Sequence, residues 1–217
     1  MFIVLFGPPG CGKGTQAATL SRHFNLPSLS TGDMLRTVAT EGTPRGNAIK
    51  YLIDEGYLVP DELVNHMVFN HIESAPACKN GAIFDGYPRT AEQAKALDAF
   101  LTTIGKKVDY IIDFDVNMDE LVERRAGRLY APTSKRVYHE TFNPPQVPGI
   151  DDETGEPLIH RKDDQPDVVR HRLEQYEALC KPVLDYYRQT RKVNEVNGMA
   201  AIGSVTQQLL DIIKPTA

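Results

Sequence analysis

The stretch Met1-Phe-Ile-Val-Leu-Phe-Gly7-Pro-Pro-Gly10-Cys11-Gly12-Lys13-Gly14-Thr15 decides the fold. Its apolar residues from Phe2 to Phe6 have the length of a buried β-strand, and a helical pattern begins at Lys13. The glycines between them let successive backbone N–H groups point into one concavity, which the positive end of the new helix completes. Strand, glycine loop, lysine and helix in this order predict a cradle for nucleotide phosphates, a P-loop.

The last position of this loop departs from the strict pattern G-x-x-x-x-G-K-[ST]. Gly14 follows Lys13 directly, and the hydroxyl comes one residue later, at Thr15. A switch GTPase would need the hydroxyl directly after the lysine, together with an Asn-Lys-x-Asp motif for the base, which this chain lacks. Cys11 precedes the helix start, where a thiol can have a lowered pKa, but we expect a small buried residue there.

Composition restricts the class of protein. The 217 residues are 41% hydrophobic and 24% charged, as in one globular domain with insertions. A formal net charge of −5 argues against nucleic-acid and membrane partners. The three cysteines, Cys11, Cys78 and Cys180, are widely spaced and support neither a disulfide framework nor a thiolate zinc site. Without a leader-like or membrane-spanning apolar run, we expect a cytoplasmic location.

Apolar runs of strand length alternate with helical patterns along most of the chain. Besides the first strand, extended segments are expected at 26–29, 81–85, 108–115 and 193–197. Helices are expected near 13–24, 31–38, 45–55, 61–72, 90–103, 118–128 and 202–213, with a long helix kinked at Pro182 before the last strand. This alternation predicts an α/β fold of three layers, in which helices cover both faces of a central parallel sheet.

The segment 129–165 differs in composition from the rest of the chain. Its prolines and glycines exclude a helix, and strand fragments such as Arg136–His139 are short. Long connections of this kind are often lids, so we expect a small mobile β insert. Four of its side chains could be imagined as zinc ligands: His139, Asp151, Asp152 and His160. Because no cysteine accompanies them, we expect a polar hydrogen-bond network instead.

A carboxylate and six arginines have positions that suggest chemistry. Asp85 ends a predicted strand, and ligands of parallel sheets bind beyond the strand carboxyl ends, so Asp85 is predicted to hold Mg²⁺ directly or through water. Arginine suits phosphate oxygens, and six arginines lie at strand ends or beside the insert: Arg36, Arg89, Arg124, Arg128, Arg161 and Arg172. We expect Arg124 and Arg128 to share a helix face. Arg125 and Arg170 are expected to be solvated.

These motifs together resemble the adenylate kinase family, in its form with a long lid. The matching stretches follow the family's order over most of the chain: 7–16, 30–36, 85–89, 127–128, 136–139, 142–145, 151–155 and 161–164. The family's loop reads Gly-Lys-Gly-Thr, which accounts for the displaced hydroxyl. The resemblance implies the reaction MgATP + AMP ⇌ 2 ADP, with ATP, AMP and ADP as partners, Mg²⁺ as cofactor and a monomeric enzyme.

The resemblance also implies three domains and a set of site residues. The domains are a core of 1–29 with 60–126 and 165–217, a helical NMP-binding insert over 30–59, and a small β lid over 127–164. The ATP side is Gly10, Cys11, Gly12, Lys13, Gly14, Thr15, Arg124, Arg128, Val137 and Tyr138. The AMP side is Thr31, Arg36, Tyr57, Leu58, Val59, Gly86, Tyr87, Pro88, Arg89, Gln93, Arg161 and Arg172. The catalytic residues around the transferring phosphate are Lys13, Arg89, Arg124, Arg161 and Arg172.

The lid lacks the four-cysteine zinc site of some relatives, so no structural zinc is expected. Other functions stay open at this point. A kinase with a pyrimidine acceptor or a GTP donor would share most of these motifs, although Thr31 and Gln93 favour adenine by resemblance. A module that binds nucleotide without turnover is disfavoured by the arginine set. A panel of donors and acceptors would separate these functions.

Overall fold

The structure, a computed structural model, describes residues 1–118, 120–121 and 127–214. Its strands are β1 (Phe2–Phe6), β2 (Ser28–Ser30), β3 (Ala82–Asp85), β4 (Val108–Asp115), β5 (Arg128–Tyr130), β6 (Val137–His139) and β7 (Val193–Asn197). Its α-helices are α1 (Lys13–Phe24), α2 (Thr31–Ala39), α3 (Pro44–Asp54), α4 (Asp61–Ser74), α5 (Ala91–Thr103), α6 (Pro166–Gln175), α7 (Lys181–Thr190) and α8 (Ile202–Ile212). None of the helices in this part of the chain has the length and apolar character needed to cross a membrane.

Five strands form one parallel sheet in the order β2-β3-β1-β4-β7. In the centre, Leu5 of β1 lies between Asp85 of β3 and Ile112 of β4. All strand pairings in this sheet are parallel, so the carboxyl ends emerge at one edge. The predicted α/β fold with a central parallel sheet is confirmed.

Helices cover both faces of the sheet because side chains alternate along each strand. Phe2 and Val4 of β1 point into one core, which α4, α5 and α7 cover. Ile3 and Leu5 point into a second core, which α1 and α8 cover. All four side chains are at most 1% exposed. A register slip of β1 by one residue would turn Phe2 and Val4, and likewise Ile3 and Leu5, toward the opposite face of the sheet. It would be costly, because burying a side chain of this size contributes roughly 1.5–3 kcal/mol to stability.

Local capping explains where the helices of the predicted NMP-binding insert begin. The Ser30 hydroxyl accepts a hydrogen bond from Asp33 N (3.3 Å) at the start of α2. The Thr43 hydroxyl accepts one from Gly46 N (3.0 Å) at the start of α3, where Pro44 occupies the first turn. Such caps satisfy backbone N–H groups that the first turn leaves unpaired.

The β insert contains the antiparallel pair β5–β6, in which Arg128 lies opposite His139 and Tyr130 opposite Val137. Arg128 is therefore a strand residue, and the predicted helix over 118–128 is wrong at its end. Pairing with β6 supplies backbone hydrogen bonds that the helix would otherwise provide. Residues 122–126, which include Arg124 and Arg125, lie outside the described part of the chain. The division into three domains stays a prediction.

The long helix near the carboxyl end is interrupted by a π-helical turn at Tyr176–Cys180. The Lys181 N–H donates to the carbonyl of Tyr176, five residues earlier. The interruption thus lies before Pro182, which sits in the first turn of α7. Proline has no backbone N–H, so Pro182 donates no hydrogen bond to the preceding turn. The kink at Pro182 stays a prediction, and the irregularity that the structure describes is the π-helical turn before it.

Candidate active site

The phosphate-loop candidate joins β1 to α1 at the carboxyl edge of the sheet. Gly7, Gly10 and Gly12 have φ angles of +147°, +92° and +98°, which residues with a Cβ rarely adopt. A side chain at Gly7 would also meet Cys11 Sγ at 2.8 Å and Phe114 Cβ at 3.0 Å. The glycines are therefore what allows the loop to close tightly over the end of β1.

Lys13 folds back over this loop. Its ammonium donates hydrogen bonds to the carbonyl oxygens of Gly7 (2.7 Å) and Pro8 (2.9 Å). No side chain caps the start of α1 at Gly12, so the positive end of the helix faces the same space as the lysine. The loop therefore concentrates positive charge where the sequence predicts phosphates.

Cys11 is a buried residue beneath the loop and is 1% exposed. Burial raises the pKa of its thiol, and the nearby Lys13 ammonium lowers it by less. A thiol activated by the helix start is therefore not what the structure shows. Cys78 and Cys180 are buried as well, so the prediction of three small buried cysteines is confirmed.

Asp85 ends β3 beside the phosphate loop. A side chain added at Gly14 would lie 3.2 Å from Asp85 Oδ2. The absence of a side chain at Gly14 therefore gives the carboxylate an open approach to the start of α1. Carboxylate oxygens are hard ligands that suit Mg²⁺, so the donor set at this position fits the predicted ion.

A second group of polar contacts lies at the ends of β2 and β3. The Gly86 carbonyl accepts hydrogen bonds from the Thr31 hydroxyl (2.9 Å) and from Arg89 Nε (2.8 Å). Gln93 Oε1 accepts from the backbone N–H of Arg89 (2.7 Å), and Gln93 Nε2 donates to Asp61 Oδ1 (2.8 Å). These bonds hold the Arg89 and Gln93 side chains at fixed positions relative to α2.

Most residues predicted for the AMP side line one small cleft of about 40 Å³ at this position. They are Thr31, Arg36, Tyr57, Leu58, Val59, Gly86, Arg89, Gln93 and Arg172. Pro88 and Arg161 line the larger neighbouring cleft. Tyr87 lines neither, because its ring lies in the core and its hydroxyl donates to Asn65 Oδ1 (2.6 Å). The structure thus brings together the predicted AMP residues except for the Tyr87 side chain.

The larger cleft has a volume of about 580 Å³ and opens between the phosphate loop, α2 and the β insert. The predicted ATP residues Gly10–Thr15, Arg128, Val137 and Tyr138 all line it. Five of the six predicted arginines also line it: Arg36, Arg89, Arg128, Arg161 and Arg172. The sixth, Arg124, lies outside the described residues. Arg170, expected to be solvated, is exposed beside Asp167 (3.5 Å).

Carboxylates and an aromatic ring orient the cleft arginines. Asp33 Oδ1 accepts from Arg36 (2.7 Å) and from Arg161 (3.5 Å). Burial alone would raise the pKa of Asp33, but the two guanidinium groups and the Ser30 hydroxyl hold it below its ordinary value. Arg161 also lies 3.4 Å above the Tyr130 ring. An ionised Asp33 therefore links the α2 side of the cleft to the insert.

Asp164 holds Arg128 in a two-pronged ion pair, with Nε–Oδ2 at 2.8 Å and Nη2–Oδ1 at 2.7 Å. The Asp164 side chain is only 3% exposed, so solvent screens this pair weakly. The pair fixes the first strand of the insert against the segment that leads into α6.

The insert is held together by polar contacts around Asp151. Its Oδ1 accepts from the Tyr138 hydroxyl (2.8 Å), and its Oδ2 accepts from the backbone N–H and the hydroxyl of Thr154 (both 2.8 Å). Burial opposes ionisation, yet these donors hold the pKa of Asp151 well below its usual range. Asp152 Oδ1 accepts from the Gln146 N–H (2.8 Å), and the Asp152 N–H donates to the Tyr138 hydroxyl (2.9 Å). The predicted polar contacts are therefore present at both aspartates.

The two histidines of the insert have separate partners. His139 Nδ1 accepts from the backbone N–H groups of Thr141 (3.0 Å) and Phe142 (3.2 Å). His160 faces Glu140 at 3.8 Å. Within 1–118, 120–121 and 127–214, no three His, Cys, Asp or Glu side chains are grouped as a metal ion would require.

Sequence reasoning missed several residues that line the larger cleft. Asp33 lines this cleft, and its contact with Arg161 spans 128 residues. Lys135 and Phe142 also line the cleft, but an isolated lysine or phenylalanine in a polar segment carries no signal of its own.

Comparisons with known proteins agree with this arrangement. A family model described as adenylate kinase matches residues 5–192, which include the phosphate loop and every arginine of the cleft. A protein named adenylate kinase from Chloroherpeton thalassium is 43% identical over 213 residues, which cover 98% of both chains.

Proposed function

Because the chain belongs to the adenylate kinase family, we propose that it transfers a phosphoryl group reversibly from MgATP to AMP, giving two ADP. One observation carries the proposal. The phosphate loop and five arginines line a single cleft, which is continuous with the smaller cleft at Thr31 and Gln93 through shared residues such as Arg36 and Arg89. Two phosphate-bearing substrates meeting end to end need this much positive charge.

On the donor side, the loop Gly10–Thr15, which includes Lys13, binds the ATP phosphates. The Lys13 ammonium exchanges its bonds with the Gly7 and Pro8 carbonyls for bonds with charged phosphate oxygens, which are stronger acceptors. Val137, Tyr138 and Arg128 form the wall along the donor nucleoside. Mg²⁺ accompanies ATP in this family, and Asp85 would hold it, directly or through water, where it neutralises charge on the donor phosphates.

On the acceptor side, Arg36 and Arg89 bind the AMP phosphate, and Thr31, Leu58, Val59 and Gln93 surround the base. Gln93 is oriented at both ends of its amide by Arg89 N and Asp61. An amide nitrogen carries two hydrogens, so one of them stays available for an acceptor atom of the base. A fixed amide can select among bases because a wrong base leaves it unpaired.

Catalysis in such a site needs no side-chain nucleophile, because the AMP phosphate oxygen is itself the charged acceptor. The contribution of the protein is positioning and electrostatic stabilisation of the transferring group. Lys13, Arg89, Arg161 and Arg172 supply it among the described residues, and Arg124 completes the predicted set. Water is the competing acceptor, so the β insert over 127–164 acts as a lid that excludes it.

A panel of nucleotides tests the assignment against the neighbouring kinases. ATP and GTP are each combined with AMP, GMP, CMP and UMP, and nucleoside diphosphates are quantified by chromatography. We expect the largest kcat/KM for ATP with AMP. A larger value with CMP or UMP would move the assignment to a pyrimidine nucleotide kinase, and tight binding without any product would make the chain a binding module.

We also propose that the protein works as a cytoplasmic monomer without nucleic-acid or membrane partners. The net charge of −5 supports the absence of nucleic-acid and membrane partners, because anionic polymers and membrane surfaces repel such a chain. Sedimentation velocity at micromolar concentration should give the mass of one 24.2 kDa chain. A concentration-dependent dimer would contradict the proposal.

A further inference from the structure

Lys135 has an unusual backbone conformation. Among the described residues other than glycine, only Asn25 and Lys135 have a positive φ, at 52° and 62°. Asn25 ends α1, and asparagine tolerates the left-handed region well. Lysine does not share that tolerance, because its Cβ crowds the following carbonyl and it lacks the short polar side chain with which asparagine can hydrogen-bond the local backbone. Glycine would satisfy the backbone of position 135 with less strain.

The surrounding turn dictates this conformation. The Ala131 N–H donates to the Arg136 carbonyl (3.0 Å), and the Lys135 N–H donates to the Ala131 carbonyl (3.0 Å). The Glu156 carboxylate accepts from the backbone N–H groups of Thr133 (2.9 Å) and Ser134 (2.9 Å). These bonds define the turn in which position 135 has its positive φ, and none of them involves the lysine side chain.

The position of the side chain supplies a reason for lysine. Lys135 lines the larger cleft, which Val137 and the phosphate loop also line. No hydrogen bond or ion pair joins its ammonium to another described residue. The next residue, Arg136, pairs with Glu153 and does not line the cleft. The two adjacent cations therefore differ in their surroundings: Arg136 is paired within the insert, whereas Lys135 lines the donor cleft.

Arg128, which also lines the cleft from the insert, already shares its charge with Asp164. We propose that Lys135 is an additional donor-binding residue whose ammonium contacts the polyphosphate of ATP. The inference rests on the proposed function, because it presupposes that ATP occupies the cleft beside the phosphate loop. A backbone strain kept for a ligand contact is typical of binding sites.

Four variants test this inference by steady-state kinetics and thermal unfolding. Lys135→Met removes the charge, Lys135→Arg keeps it, and Lys135→Gly removes both the charge and the strain. Lys107→Met is the matched control, because Lys107 is exposed and precedes β4 at the opposite edge of the sheet.

We expect the KM for ATP to rise about fivefold in Lys135→Met and Lys135→Gly, as for loss of one exposed ionic contact to phosphate. The KM for AMP and kcat should change less than twofold. Lys135→Arg and Lys107→Met should resemble the parent. Lys135→Gly should melt about 2 °C higher than the parent, because glycine relieves the strain. The KM difference should shrink at high ionic strength.

The inference is overturned if Lys135→Met changes the KM for ATP no more than Lys107→Met does. Equal rises in the KM for ATP and AMP, with a lower melting temperature, would also overturn it, because they indicate a structural role. Failure of the proposed function is distinguishable, since the parent protein itself would then form no ADP from ATP and AMP.

Discussion

Arg89 is the cleft arginine whose surroundings the structure defines most completely. Its Nε donates to the Gly86 carbonyl, and its backbone N–H donates to Gln93 Oε1. These two bonds hold Arg89 in place where it lines both clefts. Position 89 could be predicted because Asp85-Gly-Tyr-Pro-Arg89 is a compact local motif. Asp33 could not, because its role depends on Arg161, which reaches it only in the folded chain.

Replacing Arg89 with alanine should lower kcat/KM by at least about 100-fold, the usual cost of one group that stabilises charge in the transition state. The melting temperature should change little, because the side chain lies at the edge of the sheet. Arg170→Ala is the control, since Arg170 is an exposed arginine outside both clefts. Similar losses in the two variants would refute a specific role for Arg89.

Asp113, on the interior strand β4, gives a prediction about pH. Its side chain is 14% exposed. Burial raises the pKa of its carboxyl to about 6 from an ordinary value of 3.8; Arg188 and Lys13 oppose the rise, while Glu195 and Asp115 add to it. Because the pKa of Asp113 is higher in the folded protein than in the unfolded chain, ionisation of this carboxyl destabilises the fold. That destabilisation is absent below about pH 4 and complete above about pH 6.

Asp113→Asn should therefore raise the free energy of unfolding at pH 8 by about 1–3 kcal/mol, since two pH units correspond to about 3 kcal/mol. Near pH 4 the difference between variant and parent should fall to about 0.5 kcal/mol, because the parent carboxyl is then protonated in the folded state and about half protonated in the unfolded state. Urea denaturation at the two pH values measures this. If Asp113→Asn raised the free energy of unfolding equally at pH 4 and pH 8, packing and not ionisation would be responsible.

At the scale of elements, the lid shows what sequence patterns predict and where they fail. Prolines and glycines correctly excluded a helix from the insert. The end of the helix predicted over 118–128 was wrong, because a helical pattern through Arg128 looks the same whether or not a distant strand pairs with it. The contact of Arg128 with Asp164 spans 36 residues, and the pairing with His139 spans 11. Long-range pairing of this kind overrides local propensity.

The Asp151 network should determine how firmly the lid is folded. Asp151→Ala leaves the Tyr138 hydroxyl and the Thr154 N–H without their acceptor, so we expect faster amide exchange within 127–164 and a higher KM for ATP. The melting temperature of the whole chain should change little, because both cores of the central sheet lie outside the β insert. Glu153→Ala, which removes only an exposed ion pair with Arg136, should leave exchange near that of the parent. Unchanged exchange in Asp151→Ala would contradict this account of the lid.

At the scale of the whole molecule, three walls meet around the cleft. The phosphate loop forms one wall, α2 with residues 56–59 forms another, and the β insert forms the third. Residues after the lid also touch the acceptor side, since the Tyr57 ring lies 4.9 Å from the His171 ring. The parallel sheet and the phosphate loop could be predicted from local patterns. The meeting of the walls could not, because it depends on packing between segments more than 100 residues apart.

The central claim is that two nucleotides bind together and that the acceptor, not water, takes the phosphoryl group. The most direct measurement is ATP consumption and ADP formation by the parent protein and by Lys13→Ala, with and without AMP. We predict that the parent forms two ADP for each ATP consumed when AMP is present and consumes almost no ATP when it is absent. Lys13→Ala should lose at least about 100-fold in rate while keeping its fold. ATP consumption at a similar rate without AMP, or turnover by Lys13→Ala equal to the parent's, would contradict the account.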